Sequence, residues 1–338
     1  MSNISKCESC GGEVAFSPKS GNLECSKCHQ TFAINRESFS YRNINMTGAV
    51  DEIKVDIKNV NLRCVGCGAR FNGNTNNLAY VCEYCGSQLM ENFNEKTSTS
   101  PDAIIPYAFD EDEARIKFKK NIAKKPFVPS VLKRQAPIDD IQSIYIPSFV
   151  FKCSSYSNYS GKLEKREDEE YHVFSINGVK AHTDEEIIIE SSDYLTQTTL
   201  EEIKPYNMGD LCKFKSDFVR GYSLEHLNNS LYNIREQAKS IHEKNVRKEI
   251  LSGYRYDRVK FLDIDTHFTS GAYAYTILPT YKISYTYKNK KYNTFMNGQT
   301  GKLCGNVPRS GVKIFFTILL SILAVCGVAY LTFFLTQH

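Results

Sequence analysis

The alternation of apolar and polar positions changes character along this 338-residue chain, and the simplest stretch is the last. Ile314 to Leu335 is a run of 22 residues without a charge. At about 1.5 Å per residue it is long enough to cross roughly 30 Å of hydrocarbon, and no polar face interrupts it. Lys302, Arg309 and Lys313 stand on its N-terminal side, which the positive-inside rule keeps cytoplasmic. The N-terminus, MSNISKCESC, is polar and lacks an apolar signal core. The pattern predicts a transmembrane helix over 312–335, a tail-anchored single span in the cell membrane, with the N-terminal domains in the cytoplasm.

Before the span, period-two patterning dominates from Ile141 onward. Tyr281, Ile283, Tyr285 and Tyr287 alternate with Lys282, Ser284 and Thr286, a polar turn follows at Lys288 to Lys291, and Tyr292 to Met296 returns as a hairpin partner. Ile141 to Phe151, Glu185 to Glu190, Tyr194 to Leu200 and Arg258 to Phe268 also read as strands, Pro147 marking an edge or a bulge. Tyr145-Ile146-Pro147-x-Phe149 is faintly echoed by Leu278-Pro279-x-Tyr281. Helical period appears twice. Asp110 with Glu113 forms an Asp version of the capping box ahead of Ala114, Phe118 and Ile122 on one face. Lys119, Lys120, Lys124 and Lys125 crowd that helix's end; a solvated basic face is favoured over contact with an anionic membrane. Leu224, Leu227, Leu231, Ile234, Ala238 and Ile241 step 3, 4, 3, 4, 3 and predict one long helix, its seam dissolving at Asn245 and Lys248. That seam is too short for a coiled coil, so packing on a sheet is favoured over oligomerisation.

The N-terminal third is organised by cysteine. Cys7-x2-Cys10 is followed after fourteen residues by Cys25-x2-Cys28, and Cys64-x2-Cys67 after fourteen by Cys82-x2-Cys85. A CxxC turn lets two sulfurs converge on one ion, and zinc takes four thiolates in a tetrahedron. The eight cysteines therefore predict two structural Zn²⁺ sites. Phe16 to Leu23 and Phe71 to Tyr80 each read as two strands around a polar turn. Disulfides would need an oxidising compartment, and a CxxC redox pair a βαβ setting that the pattern lacks. Units this small bury little core, so metal supplies folding free energy. His29, next to Cys28, is surplus if all four cysteines bind. The boundaries follow: ribbon 1 over 1–36, a connector over 37–60, ribbon 2 over 61–90, a polar linker over 91–102, an α+β domain over 103–308, and the span.

Charge narrows the function. The formal net charge is +4, and two Zn²⁺ with eight thiolates bring it near zero. Residues 1–100 carry ten basic and ten acidic side chains, so metallation leaves that third near −4. Ribbons that bind nucleic acid usually carry a basic footprint; these predict a protein-contact module. No catalytic motif is present. Gly298-Gln299-Thr300-Gly301-Lys302 imitates the end of a phosphate loop, but Met296 stands where its first glycine belongs and Leu303 where the magnesium-binding hydroxyl belongs. Glu167 to Glu170 reads as a solvated loop, and Cys153, Cys212 and Cys304 as small buried apolar residues.

Duplicated ribbons, Leu278-Pro279-Thr280-Tyr281 leading to Tyr285-x-Tyr287, the string Asn297 to Lys302, Gly305-x-x-Pro308 and the C-terminal span together resemble bacterial membrane-anchored double zinc-ribbon proteins. That family has TFIIB-type ribbons and is often labelled primosomal helicase-like or phage replisome organiser-like. The resemblance covers most of the chain. It implies a role in envelope stress, anchoring phage-shock-type and flotillin-like proteins at the membrane. The expected fold is α+β: two four-cysteine ribbons, a Tyr-rich, mainly antiparallel β domain with one long helix, and a C-terminal transmembrane helix. The expected function is a non-catalytic scaffold that recruits a cytoplasmic or membrane protein, held in the bilayer by residues 314–335. A membrane-tethered nucleic-acid binder connected with replication is the alternative.

Overall fold

The computed structural model describes residues 6–48, 60–63, 70–73, 79–81, 88–90 and 101–337, apart from positions 136, 169, 193, 226, 228 and 306. Strands β1 (Val14–Ser17), β2 (Asn22–Cys25) and β3 (Thr31–Phe32) form a small antiparallel sheet. The Ser17 to Gly21 turn joins β1 to β2 as the spacing predicts. Strand β4 (Arg42–Asn43) pairs instead with the main sheet, against Ala272 and Tyr273. Then come two hairpins, β5 (Val60–Arg63) with β6 (Arg70–Gly73), and β7 (Ala79–Val81) with β8 (Gln88–Met90). The two strands expected over Phe71 to Tyr80 are found in β6 and β7; among the described residues β6 pairs back to β5 and β7 forward to β8. Each hairpin thereby closes across a Cys-x2-Cys segment of the sequence. The linker, apart from Pro101 and Asp102, lies outside the described residues.

The main domain runs β9 (Ala103–Ile104), α1 (Glu111–Lys124), α2 (Ser130–Gln135), β10 (Asp140–Glu167), β11 (Glu170–Glu190), α3 (Gln197–Ile203), β12 (Cys212–Lys213), β13 (Ser223–Leu224), α4 (Leu231–Ser252), β14 (Arg258–Tyr287), β15 (Lys290–Asn297) and β16 (Leu303–Gly305), and α5 (Gly311–Gln337) follows. The antiparallel path is β11–β10–β14–β15–β16. Strands read separately merge: Arg258 to Phe268 and Tyr281 to Tyr287 belong to one 30-residue strand, on the order of 90 Å long. Glu167 and Glu170 close the β10–β11 hairpin over a turn at Asp168, φ 46°.

Two halves of this domain repeat one another. β9 pairs in parallel with β14 at Thr276 and Ile277, and β13 pairs in parallel with β10 at Ile144 and Tyr145. Seven residues after each short strand begins, a side chain caps a helix: Asp110 accepts from Glu113 N at 2.9 Å, and Ser230 accepts from Asn233 N at 3.3 Å. The central strands match as well, since Tyr145 lies opposite Pro279 and Pro147 opposite Ile277. Each half is a βαββ unit, and each short first strand is exchanged onto the other half.

The prolines are explained by the same symmetry. Pro147 sits inside a central strand, where the sequence predicts an edge or bulge. Pairing of β10 with β11 starts at Ser148, and Ser191 N donates to Pro147 O at 3.1 Å. A residue's N–H and C=O point to the same side of a strand, so the missing N–H faces the place where β11 has ended. Pro279 stands alike just beyond β15, with Gly298 N donating to its carbonyl at 2.8 Å.

Two further expectations change. Tyr194 to Leu200 is not a strand; Thr196 caps α3 by accepting from Thr199 N at 3.1 Å, and Leu200 and Ile203 are buried beneath it. The long helix begins at Leu231, with Leu224 in β13 and Leu227 before the cap, and it continues past Asn245 to Ser252. Its buried face runs through Ile234, Ala238, His242, Val246 and Ile250, and it packs on the sheet as predicted.

The β1–β3 unit does not stand alone. Val14, Phe16, Leu23, Cys25 and Ile34 join one core with Ile104, Tyr107, Tyr145 and Phe218. Phe16 meets Phe218 edge-on at 5.5 Å, and its amide donates to Arg220 O at 3.0 Å. Burying Phe16 stabilises the docking by about 1.5–3 kcal/mol. At the other end, α5 is long and apolar enough to cross a membrane, and none of its Gly311–Ala329 portion is buried.

Candidate metal centre

Cys7, Cys10, Cys25 and Cys28 come together as the spacing predicts, their sulfurs all within 4.8 Å of one another. Cys7 and Cys28 are 3.5 Å apart, and Cys10 and Cys25 3.4 Å. Four thiolates at about 2.3 Å from one zinc would stand about 3.8 Å apart, so the set closes on a space of the right size for an ion. Two matched knuckles build it. Cys7 N donates to Gly12 O and Gly11 N to Cys7 O, each at 2.8 Å; Cys25 N donates to Gln30 O and His29 N to Cys25 O, each at 3.0 Å. The same left-handed backbone serves both, with φ 68° at Gly11 and 59° at His29. His29 is therefore a turn residue. Its Nδ1 lies 3.0 Å from the Glu24 carboxylate, away from the sulfurs' role.

The thiols' electrostatics call for a cation. Backbone N–H groups of Cys28 and Lys27 draw the Cys25 thiol down to about 6. Cys28 receives a lowering hydrogen bond from Gln30, but neighbouring Cys10 and Cys7, burial and Cys25 push it up to about 12. Thiolate charge is favoured at Cys25 and opposed at Cys28 by its neighbours, an opposition that a bound cation would relieve. The four residues are placed to hold a metal ion. Cys64, Cys67, Cys82 and Cys85 lie outside the described residues.

A second cluster has no signature in the sequence. His242, fully buried on α4, has its Nδ1 against the Glu185 carboxylate and 3.5 Å from Cys153 Sγ. Its Nε2 lies 2.6 Å from Ser155 Oγ, and Asn245 Nδ2 donates to the other Glu185 oxygen at 2.7 Å. Burial and then Glu185 push the Cys153 thiol up to about 12. Register shifts at Cys153–Ser155 against β11 and at Ser154–Ser155 against β14 gather these side chains, bulges being common beside functional sites. Ser155, His242 and Glu185 have the hydrogen-bond order of a hydrolase triad. Ser155 is only 3% exposed, however, so a substrate carbonyl has no approach to its hydroxyl.

The chain is similar to YdjG of Bacillus subtilis (strain 168), described as an uncharacterized protein, with 26% identity over 318 residues spanning 91% of each chain. No family model matches, and no solved structure matches.

Outside the two clusters, the remaining sequence candidates have structural places. Cys212 and Cys304, like Cys153, are buried. The string Asn297 to Lys302 turns β15 into β16: Asn297 Oδ1 accepts from Gln299 N and Thr300 N at 2.8 and 3.0 Å, and its Nδ2 donates to Ile203 O and Pro205 O. It ties the end of α3 to the sheet, and no phosphate loop is formed.

Proposed function

We propose that this chain is a non-catalytic scaffold with two structural zinc ribbons, anchored in the membrane by α5, that recruits a protein partner on the cytoplasmic side. The observation that carries it is continuity: a four-cysteine unit is docked onto a rigid sheet domain, and that domain leads directly into an exposed apolar helix. An all-sulfur set suits zinc above the harder divalent ions. Register supports the second ribbon. Residues flanking Cys7 and Cys10 pair as Lys6 with Glu13, and those flanking Cys64 and Cys67 pair at the same offsets as Arg63 with Arg70. Glu24 with Thr31 and Val81 with Gln88 correspond in the same way. Lys302 and Arg309 before α5, with Lys313 in its first turn, support the cytoplasmic side.

Ribbon 1 has one face committed to the core, so ribbon 2 is the part to test. Cys64→Ser or Cys82→Ser is expected to abolish capture of a crosslinked partner from native membrane while membrane insertion persists. Recruitment undiminished in both variants would sink the proposal. Binding of DNA by the full chain in detergent, lost steeply with salt, would move it instead to the nucleic-acid binders.

A further inference from the structure

We propose that Cys153 Sγ, His242 Nδ1 and the Glu185 carboxylate form a further metal site, of the zinc class and separate from the ribbons. The spacing fits. A thiolate at about 2.3 Å and an imidazole nitrogen at about 2.0 Å from a tetrahedral zinc stand about 3.5 Å apart, the separation found between Cys153 and His242. All three ligand atoms lie within 4.8 Å of one another. Ser155 takes the place of the outer partner that fixes a ligating histidine, bonded to the ring nitrogen that faces away from the ion. Asn245 does the same for the carboxylate.

The internal repeat supplies the control. Ile122 occupies the place on α1 that His242 occupies on α4, each twelve residues beyond its helix cap. Cys153 and Glu185 are a cross-strand pair on β10 and β11; the matching pair on β14 and β15 is Tyr285 with Tyr292. In that half the site is filled by aromatic rings, Tyr285 stacked on Tyr292 at 5.5 Å and tilted against Phe118 at 5.4 Å. Packing alone is met there by apolar side chains. The half containing α4 instead buries a thiol and an imidazole beside a half-buried carboxylate, all three of them zinc donors.

A second observation points the same way. His182 has a side chain only 9% exposed, its ring lies edge-on to His242 at 5.5 Å, and its Nε2 is buried without a partner. His182 stands outside the three-ligand set, and a water carried by the ion would give this nitrogen a partner. Binding releases the Cys153 proton to solvent as its sulfur donates a pair to the metal; the proton between Nδ1 and the Glu185 carboxylate is given up there while Nε2 carries the ring proton and donates to Ser155 Oγ, which leaves the Nδ1 pair and the carboxylate free for the ion.

The test is zinc-edge X-ray absorption and metal content on the full-length chain in detergent, loaded with excess Zn²⁺ and desalted. The wild type is expected to show nitrogen and oxygen donors beside the sulfur shell of the ribbons. His242→Ile, the residue of the other half, is expected to remove that component and one zinc per chain, leaving the sulfur shell; Glu185→Gln is expected to weaken retention at least tenfold. A sulfur-only shell in the wild type overturns the proposal without recourse to any variant. Zinc content unchanged by His242→Ile overturns it as well.

Discussion

At Gly12 the metal centre depends on the absence of a side chain. A Cβ there would meet Cys25 Sγ at 2.8 Å and Lys27 Cβ at 3.1 Å. Gly12→Val is expected to displace one sulfur and weaken metal binding by roughly tenfold or more, by analogy with loss of a supporting group around a metal. A chelator-competition titration measures it, and unchanged affinity would mean that the knuckle yields freely. This site was legible in the sequence because all four ligands come from two local turns whose spacing is fixed by geometry. The Cys153–Glu185–His242 cluster was not. Its members come singly from three elements, and nothing in the neighbourhood of Cys153 distinguishes it from an ordinary buried thiol.

Helices α1 and α4 illustrate which parts of an element the sequence carries. The cap at Asp110 and the face of Ala114, Phe118 and Ile122 were legible, because both obey local rules. The start of α4 was misplaced because Leu224 and Leu227 are buried without being helical, and apolar spacing records burial whatever the backbone does. Its end was missed because His242 interrupts the apolar face that Val246 and Ile250 continue. At α3, the β-prone run through Thr196 to Thr199 yields to a cap and two buried apolar residues. Asp110→Ala is expected to cost about 1 kcal/mol through the lost cap, and Lys19→Ala little, since Lys19 is 69% exposed and its 2.5 Å pair with Asp110 is screened. Urea unfolding of the full chain measures both. Burial raises the Asp110 carboxyl, but Lys19 and the Glu113 amide outweigh it and hold it below 3.8. A lowered folded value contributes stability above the unfolded one and loses it as pH falls through the folded one. The gap between wild type and Asp110→Ala should therefore close below about pH 4.

On the scale of the whole molecule, the approach of α1 to the base of α5 favours the reading of the lysines that the sequence ranked second. Ser310 N donates to Phe127 O at 2.7 Å, and Lys313 Nζ to Val128 O at 2.8 Å. Those carbonyls follow Lys124 and Lys125 by only a few residues, so the basic end of α1 is held where the apolar helix begins. If α5 enters a bilayer at that level, the end of α1 that carries Lys119, Lys120, Lys124 and Lys125 is brought toward the lipid headgroups, and a lysine within a Debye length of an anionic surface is worth about 1 kcal/mol. The sequence could not show this, because the lysines and the span are separated by the whole sheet domain and meet only through the fold. Reconstituted into vesicles, the full chain is expected to react more slowly with a water-soluble amine reagent at these lysines when the lipid is anionic than when it is zwitterionic. Raising salt should bring the two rates together, because a screened surface no longer holds the side chains. Equal rates at low salt would return the cluster to an ordinary solvated face and leave α5 as the sole membrane contact.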